Sequence, residues 1–434
     1  MWIAILIFLL SYIAISTEKF PRHWVAILGG VLLILTGVLT LEDALGYINW
    51  ETLGLLAGMF VLVSILTEAK FFYWLAMSIL RKVQFHPGYL FVILILLAAF
   101  LSMFMDSITV MLFLSALTFQ LCKMLKLDPV PLVIAEVCAA NTGGAATLVG
   151  DPPNVILGTT LGFSFSDFVV NTGPIALAAT FLLLFVFYIE NRKSLKIARA
   201  QLTVETIQAI EASQNRPLNK HLTKVGLTGF LIAVILLVFH IPLSHLSGLE
   251  INTATAAIVP AGAAMITLRD NKMKKIILKV DGESILFFTG LFLLIGGLEK
   301  VNLFGMLAEQ MVVLANKGTG FFILMLQWVP GLMSGVVDNV PLALAMSYVL
   351  KDLVGQPGVP PLALMVWSLA LGVDIGGNFT PIGASANVVA YAYLERRHGK
   401  IGWGRWLRIA VPASLLAMIM VSLLLLFKNS VGWY

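Results

Sequence analysis

Residues 141–158 read N-T-G-G-A-A-T-L-V-G-D-P-P-N-V-I-L-G, and they fall where a hydrophobic helix ought to continue. Apolar residues flank the run on both sides, yet it holds four glycines, two prolines, one carboxylate and two asparagines. A straight membrane helix does not accommodate that content: proline removes a backbone donor, glycine weakens a helix, and a carboxylate in hydrocarbon is costly. A second run of the same kind lies at 374–390, D-I-G-G-N-F-T-P-I-G-A-S-A-N-V-V-A. The chain around them reads as a scaffold that holds the two breaks face to face.

With 434 residues, 59% of them hydrophobic and 12% charged, and a mean hydropathy of +0.95, the chain is too apolar for a soluble domain. It reads as an all-α polytopic membrane protein. The first apolar run, 2–16, has no basic stretch before it and no small-residue cleavage site after it, so it is a retained span and not a signal peptide. The net charge of +5 lies in loops between apolar runs. There it reports orientation, and no nucleic-acid partner is expected. Cys122 and Cys138 have no paired-ligand spacing, which argues against a disulfide framework or a zinc site. The six histidines are scattered, His240 and His245 being the closest pair, and each reads as solvated or internally satisfied.

A crossing needs roughly 20 apolar residues. Simple spans are expected at 2–16, 24–40, 52–67, 173–189, 225–241, 252–268, 284–298 and 409–427. Two segments, 88–122 and 319–350, are apolar on both sides of a polar tip, Asp106-Ser107 in one and Asp338-Asn339 in the other. Two more, 131–160 and 361–391, are too long for one straight span and carry the glycine-rich breaks. Segments 71–80 and 304–314 are too short to cross and are expected to lie along the interface.

A shift of 232 residues places Glu51 on Glu283, Gly58 on Gly290, Phe60 on Phe292, Phe72 on Phe304, Ser102 on Ser334 and Asp106 on Asp338. One further residue of shift places Gly143-Gly144 on Gly376-Gly377, Thr147 on Thr380, Gly150 on Gly383 and Asn154 on Asn387. The chain is a duplication: 1–189 and 225–434 are the copies, and 190–224 is a cytoplasmic linker that reads equally as a surface helix or a solvated connector. If Asp106 and Asp338 are tips of re-entrant hairpins, each copy has five crossings plus one hairpin. An odd number of crossings inverts the second copy relative to the first. The charges agree with that count. Of the 28 Lys and Arg, 24 fall in loops predicted cytoplasmic, among them Lys19, Arg22, Lys123, Arg192, Arg216, Arg269, Lys272 and Arg405. Only Lys300, Lys317, Lys351 and Lys428 fall outside. One error in the count would flip every later loop, so both termini are placed outside the cell membrane.

Backbone that is neither helix nor barrel persists at membrane depth only where it is buried in protein or lines a wet cavity. Two symmetric pairs of such places put a chamber at the centre of the bilayer. Broken helices leave amide N–H groups on one side and carbonyls on the other. The expected lining is Ser107, Thr109, Asn141, Thr142, Gly143, Gly144, Thr147, Asn154, Asn339, Gly376, Gly377, Asn378, Thr380, Ser385 and Asn387. Oxygens of this kind suit a hard cation, and Asn141, Thr147 and Asp106 are considered for a sodium ion, the one cofactor expected. Asp106, Asp338, Asp374, Glu136 and Asp151 are acidic groups in or beside the spans, each a candidate to load and release a proton. Asp106 and Asp338 rank first because they recur by symmetry. Asp374 faces Asn141 in the repeat, so the copies differ there. Each feature also has a plainer reading. Asp151 is an ordinary cap of the helix begun by Pro152-Pro153. Glu136 is an internal hydrogen-bond partner that fixes packing. Gly54-x-x-x-Gly58 is a close helix contact. Cys138 is a small buried core residue.

These residues resemble the ion transporter superfamily, in its branch of arsenite permeases and the melanosomal P protein. The resemblance rests on G-G-A-A-T-L-V-G-D-P-P-N at 143–154, D-I-G-G-N-F-T-P-I-G at 374–383, M-D-S-I-T at 105–109 and V-D-N-V-P at 337–341, four motifs in order along essentially the whole chain. It implies inverted repeats, elevator-type alternating access, a homodimer and, for an arsenite permease, a soluble ATPase subunit. Dicarboxylate importers on this scaffold carry Ser-Asn-Thr at the tips. Here Asp106-Ser107 and Asp338-Asn339 stand instead, which disfavours anionic substrates. The leading reading is arsenite and antimonite efflux across the cell inner membrane in exchange for protons, with a sodium/proton antiporter as the alternative and a sodium-coupled anion transporter third. A passive channel would conduct without saturation. An enzyme is not indicated: no nucleophile–base pair appears, and Gly143-Gly144 lacks the lysine of a nucleotide loop.

Overall fold

A computed structural model describes residues 1–16, 19–213, 217–248, 251–268 and 270–434. Arg216 and Arg269, both counted above as cytoplasmic, lie outside the described residues, as do the side chains of His245 and Lys272. Every regular element among the described residues is helical. Among the described residues seven helices are long and apolar enough to cross a bilayer, including Trp50–Glu68, Gly173–Ala200, Lys220–Ser244, Gly282–Lys300 and Trp403–Val431. Trp2–Ser16, Arg22–Leu35 and Thr253–Ile266 are shorter apolar helices packed among them.

Both hairpins are present. Pro87–Ser102 enters and Ser107–Met124 returns, with Asp106 at the turn; its carboxylate caps the returning helix by accepting from Thr109 N at 2.9 Å. In the second copy Thr319–Ser334 enters and Asn339–Leu353 returns, with Asp338 accepting from Val340 N at 3.1 Å. An acid at a helix N-cap satisfies an amide that hydrocarbon would leave bare, which is why each turn survives in the interior.

Both breaks are present too. Pro129–Gly144 stops, the chain runs irregularly, and Pro152–Leu161 resumes on two prolines whose fixed φ suits a first turn. Leu362–Gly376 stops in the short 3-10 turn Gly377–Phe379, and Ser385–His398 resumes. The glycines are dictated by contact with the hairpins. A Cβ at Gly143 would fall 2.6 Å from Ala99 Cα, and one at Gly376 would fall 2.6 Å from Gly331 Cα, its equivalent in the other copy. Each broken helix therefore packs backbone to backbone on the entering helix of its own hairpin. The Gly54/Gly58 pair does similar work against Thr253–Ile266: a Cβ at Gly54 would meet Ala254 at 2.8 Å, and one at Gly58 would meet the Ala257 carbonyl carbon at 2.6 Å.

Contacts at the helix ends tie the copies in opposite directions. Glu68 at the end of Trp50–Glu68 pairs with Lys279, just before its repeat counterpart Gly282–Lys300 begins. At the other end Glu51 accepts from Thr253 N at 3.0 Å and Oγ1 at 2.7 Å. Asp43 meets Lys300 at 2.7 Å, Lys428 donates to Asn171 at 2.7 Å, and Arg405 pairs with Asp128. Each of these joins residues that the charge pattern assigns to one side. The hydrogen bond from Lys300 holds the Asp43 carboxyl down to about 2.

Helices Phe71–Lys82 and Leu303–Ala315 occupy equivalent places, with Phe72 and Phe304 buried. Between the copies, helix Gly173–Ala200 runs on through residue 190, Val204–Ser213 forms a short helix, and Lys220–Ser247 begins before residue 225. Much of the connector is thus helical.

Candidate functional site

The two hairpin tips meet at Asp151. Its Oδ1 accepts from Ser107 Oγ at 3.4 Å and its Oδ2 accepts from Asn339 Nδ2 at 3.1 Å, so one buried carboxylate bridges the first residue of each returning helix. Asp151 makes no side-chain capping bond to Pro152–Leu161. The cap reading is therefore corrected: the prolines at the first two helical positions carry no amide, the next one, Asn154 N, is met by the Asp151 backbone carbonyl at 3.0 Å, and the carboxylate is free to reach across.

Behind the tips, asparagines lace the breaks together. Asn154 Nδ2 donates back to Gly144 O at 3.1 Å and Thr147 O at 3.0 Å, and Asn387 Nδ2 donates to Gly377 O and Thr380 O, each at 2.8 Å. These are the same two carbonyls in each copy, groups that the end of a broken helix leaves without a partner. Asn141 Nδ2 crosses between copies to Asn378 Oδ1 at 2.9 Å and Asn387 Oδ1 at 2.8 Å. Asn378 Nδ2 in turn reaches Cys138 O at 3.5 Å and Thr142 Oγ1 at 3.4 Å, and Trp406 Nε1 donates to Asn378 O at 3.1 Å. Thr147 Oγ1 donates to Met103 O and Thr380 Oγ1 to Gly335 O at 2.5 Å, again equivalent positions, fastening each break to its hairpin tip.

The acids sort by neighbourhood. Asp106 accepts from Thr109 N and Thr109 Oγ1, both at 2.9 Å. Asp338 accepts from Ser385 Oγ at 3.0 Å, and Arg22 donates to that Ser385 oxygen at 2.6 Å while lying 3.8 Å from Asp338. Arg22 also lies 4.8 Å over the Phe287 ring. Asp374 is fully buried, and neither of its oxygens has a hydrogen-bond partner. Glu136 stands apart, on Pro129–Gly144 facing Ser107–Met124; its Oε1 accepts from Thr118 Oγ1 at 2.5 Å, which fits its packing role. Asn141, Thr147 and Asp106, considered for a sodium ion, make their bonds in separate places, to Asn378 and Asn387, to Met103 and to Thr109.

Two cavities approach the tips. One of about 670 Å³ runs past Lys70, Lys279 and Glu283 to Asp106 and Thr109. The other, about 280 Å³, reaches Asp338 and Ser385 beside Arg22. Between them Asp106, Ser107, Asp151, Asn339 and Ser385 line a gap of about 20 Å³, room for about one water. Arg22 was legible only as a loop charge, and Ser107 and Ser385 only as expected lining. Their sequence distance from Asp338 and Asp151 hides the contacts.

Apolar helices arranged around a polar, acid-rich centre between two breaks define a membrane transporter. The family described as CitMHS, citrate transporter, matches residues 12–372, and the chain belongs to it, within the ion transporter superfamily. An uncharacterised transporter of Mycobacterium tuberculosis is 30% identical over 431 residues, 98% of this chain and 97% of its own length. The P protein of Sus scrofa is 28% identical across 97% of this chain and 59% of its own length. Among solved structures, the YdaH transporter of Alcanivorax borkumensis superposes with a TM-score of 0.59 at 16% identity, covering 93% of this chain and 89% of that one. MtrF of Neisseria gonorrhoeae, of a class of antimetabolite efflux pumps, gives 0.54 at 13% identity, covering 97% and 93%. At those identities the likeness is one of fold.

Proposed function

We propose that the protein is a proton-coupled secondary transporter of the inner membrane that exports arsenite and antimonite in exchange for protons, by alternating access. The observation that carries this reading is the small gap between the tips, walled by Asp106, Asp151, Ser107 and Asn339, with Asp338 beside it and its nearby arginine, Arg22, already engaged by Ser385 and Asp338. A citrate-sized polyanion would bring several negative charges up against Asp106 and Asp151, where Arg22 is already engaged and Lys70 and Lys279 line only the larger cavity, an arrangement that costs rather than binds. Arsenous acid, As(OH)3, is uncharged at neutral pH and offers three hydroxyls to amide and carboxylate oxygens. Both cavities open toward the end of the bundle that holds Lys70, Lys279, Glu283 and Arg22, the end that the charge pattern makes cytoplasmic. On this reading the structure is inward-open.

The test uses inverted membrane vesicles with an imposed proton gradient. Arsenite should accumulate in them, and Asp338→Asn should reduce accumulation to background while the protein is still made and inserted. Wild-type pH dependence in that variant would remove Asp338 from the coupling. A second reading, sodium/proton antiport, is favoured by the buried oxygens of Asn141 and Asn154 that have no donor. Sodium-driven proton movement without arsenite movement would select it.

A further inference from the structure

The two breaks are related by a shift of 233 residues, and their hydrogen bonds follow it closely enough that one departure stands out. Asn154 and its counterpart Asn387 each spend both amide protons on two equivalent carbonyls, which fixes their side-chain oxygens as acceptors aimed into the interior. The oxygen of Asn387 receives Asn141 Nδ2 at 2.8 Å, from the opposite copy. By the shift, Asn154 Oδ1 should receive a donor from the residue that replaces Asn141, and that residue is Asp374. Asn154 Oδ1 and both Asp374 oxygens are buried without a hydrogen-bond partner. Three orphaned acceptors at symmetry-related positions are not a stable arrangement, since a buried polar group left unpaired is destabilising.

One proton on Asp374 removes the conflict. We propose that Asp374 is the group that carries a proton in this conformation, donating its O–H to Asn154 Oδ1 and so completing the cross-brace that Asn141 and Asn387 make on the other side. The second Asp374 oxygen then corresponds to Asn141 Oδ1, which is also without a donor. A single donor suffices, because Asn141 needs its second N–H for Asn378, and the counterpart of Asn378 is Ala145, which accepts nothing.

The surroundings support the assignment. Asp151, the nearest acid, has donors on both oxygens, Ser107 and Asn339, as a carboxylate should. Asp106 and Asp338 lie beyond it and are met by Thr109 and by Ser385 with Arg22. The packed helix Pro129–Gly144 brings Glu136, held by Thr118, and Cys138; Thr319–Ser334 and Pro152–Leu161 have no titratable side chain; Asn339–Leu353 has Tyr348, Lys351 and Asp352 toward its far end; and Trp403–Val431 has basic groups only near its ends, at Arg405, Arg408 and Lys428. No cation therefore stands beside Asp374 to hold it ionised. Loss of the proton would set a carboxylate against an amide oxygen and the Asp151 carboxylate, opening the brace between the two copies. The proton is thus a latch on this state, and its role in coupling rests on the proton-coupled reading given above.

Infrared difference spectroscopy of the purified full-length protein in liposomes tests the latch. A carboxylic-acid C=O band should be present at neutral pH, vanish in Asp374→Asn and persist in Asp106→Asn. The asparagine in Asp374→Asn can donate the same bond, so that variant should melt as wild type does at neutral pH, whereas Asp374→Leu should melt lower. A protonated-acid band unchanged by Asp374→Asn would overturn the assignment, as would equal melting of the asparagine and leucine variants. Failure of vesicles to move arsenite or sodium, with the band behaving as stated, would instead reject the transport reading alone.

Discussion

Gly376→Val is expected to leave almost no folded protein. Overfilling a packed interior by a methylene typically costs about 1–3 kcal/mol when side chains can shift, and total stabilities run only about 5–15 kcal/mol. At Gly376 nothing can shift cheaply, because an added Cβ would meet the backbone of Gly331, 2.5 Å from its carbonyl carbon and 2.6 Å from its Cα. The helix carrying Gly331 is the entering arm of the second hairpin, so separating the two would also pull Thr380 from Gly335 and Ser334 from the Val373 carbonyl. Gly143→Val should do the same in the first copy, against Ala99. Gly262→Val is the control, since a Cβ there meets nothing within 4 Å. Yield of monodisperse protein after detergent extraction, with its melting midpoint, reads the effect; a wild-type yield for Gly376→Val would mean that the broken helix and the hairpin are not in contact.

Asp151→Ala should abolish transport and also lower stability. The substitution strands the Ser107 hydroxyl and the Asn339 amide, two buried donors that together cost on the order of 2–6 kcal/mol when left unpaired. It also cuts the shared link between the first residues of the two returning helices. Transport and melting should therefore fall together, and Asp151→Asn, which can still accept one of the two bonds, should melt between the two. Undiminished solute movement in Asp151→Ala would show that the tips need no carboxylate between them.

The scaffold was largely legible because its signals are local. Glycine pairs, prolines and polar residues inside apolar runs mark broken helices wherever they occur, and an Asp at a turn announces a helix start. Repetition at a fixed offset turned those local marks into an architecture, and the Glu68–Lys279, Glu51–Thr253 and Asp43–Lys300 contacts fall on the ends that this architecture pairs. The wiring of the centre was not legible. Asn141 and Asn378 are 237 residues apart, and no local pattern says that an amide in one copy finds its acceptor in the other. Asp151 looked like a cap because Asp before Pro-Pro usually is one; the prolines that suggest a cap also remove two of the amides it would serve, and the backbone carbonyl of Asp151 takes the next. Arg22 appeared as one loop charge among many until the fold brought it to Asp338.

The contact that most directly carries the account is the one between Asn141 and Asn387, the midpoints of the two breaks, with 246 residues between them and 2.8 Å between their side chains. Oxidative cross-linking in native membranes measures it, using Asn141→Cys with Asn387→Cys in a chain whose own Cys122 and Cys138 have been changed to alanine. An intramolecular disulfide, absent from either single substitution, is the predicted result. If the pair stays reduced under conditions that cross-link a neighbouring control pair within one hairpin, the two midpoints do not meet and no shared chamber exists.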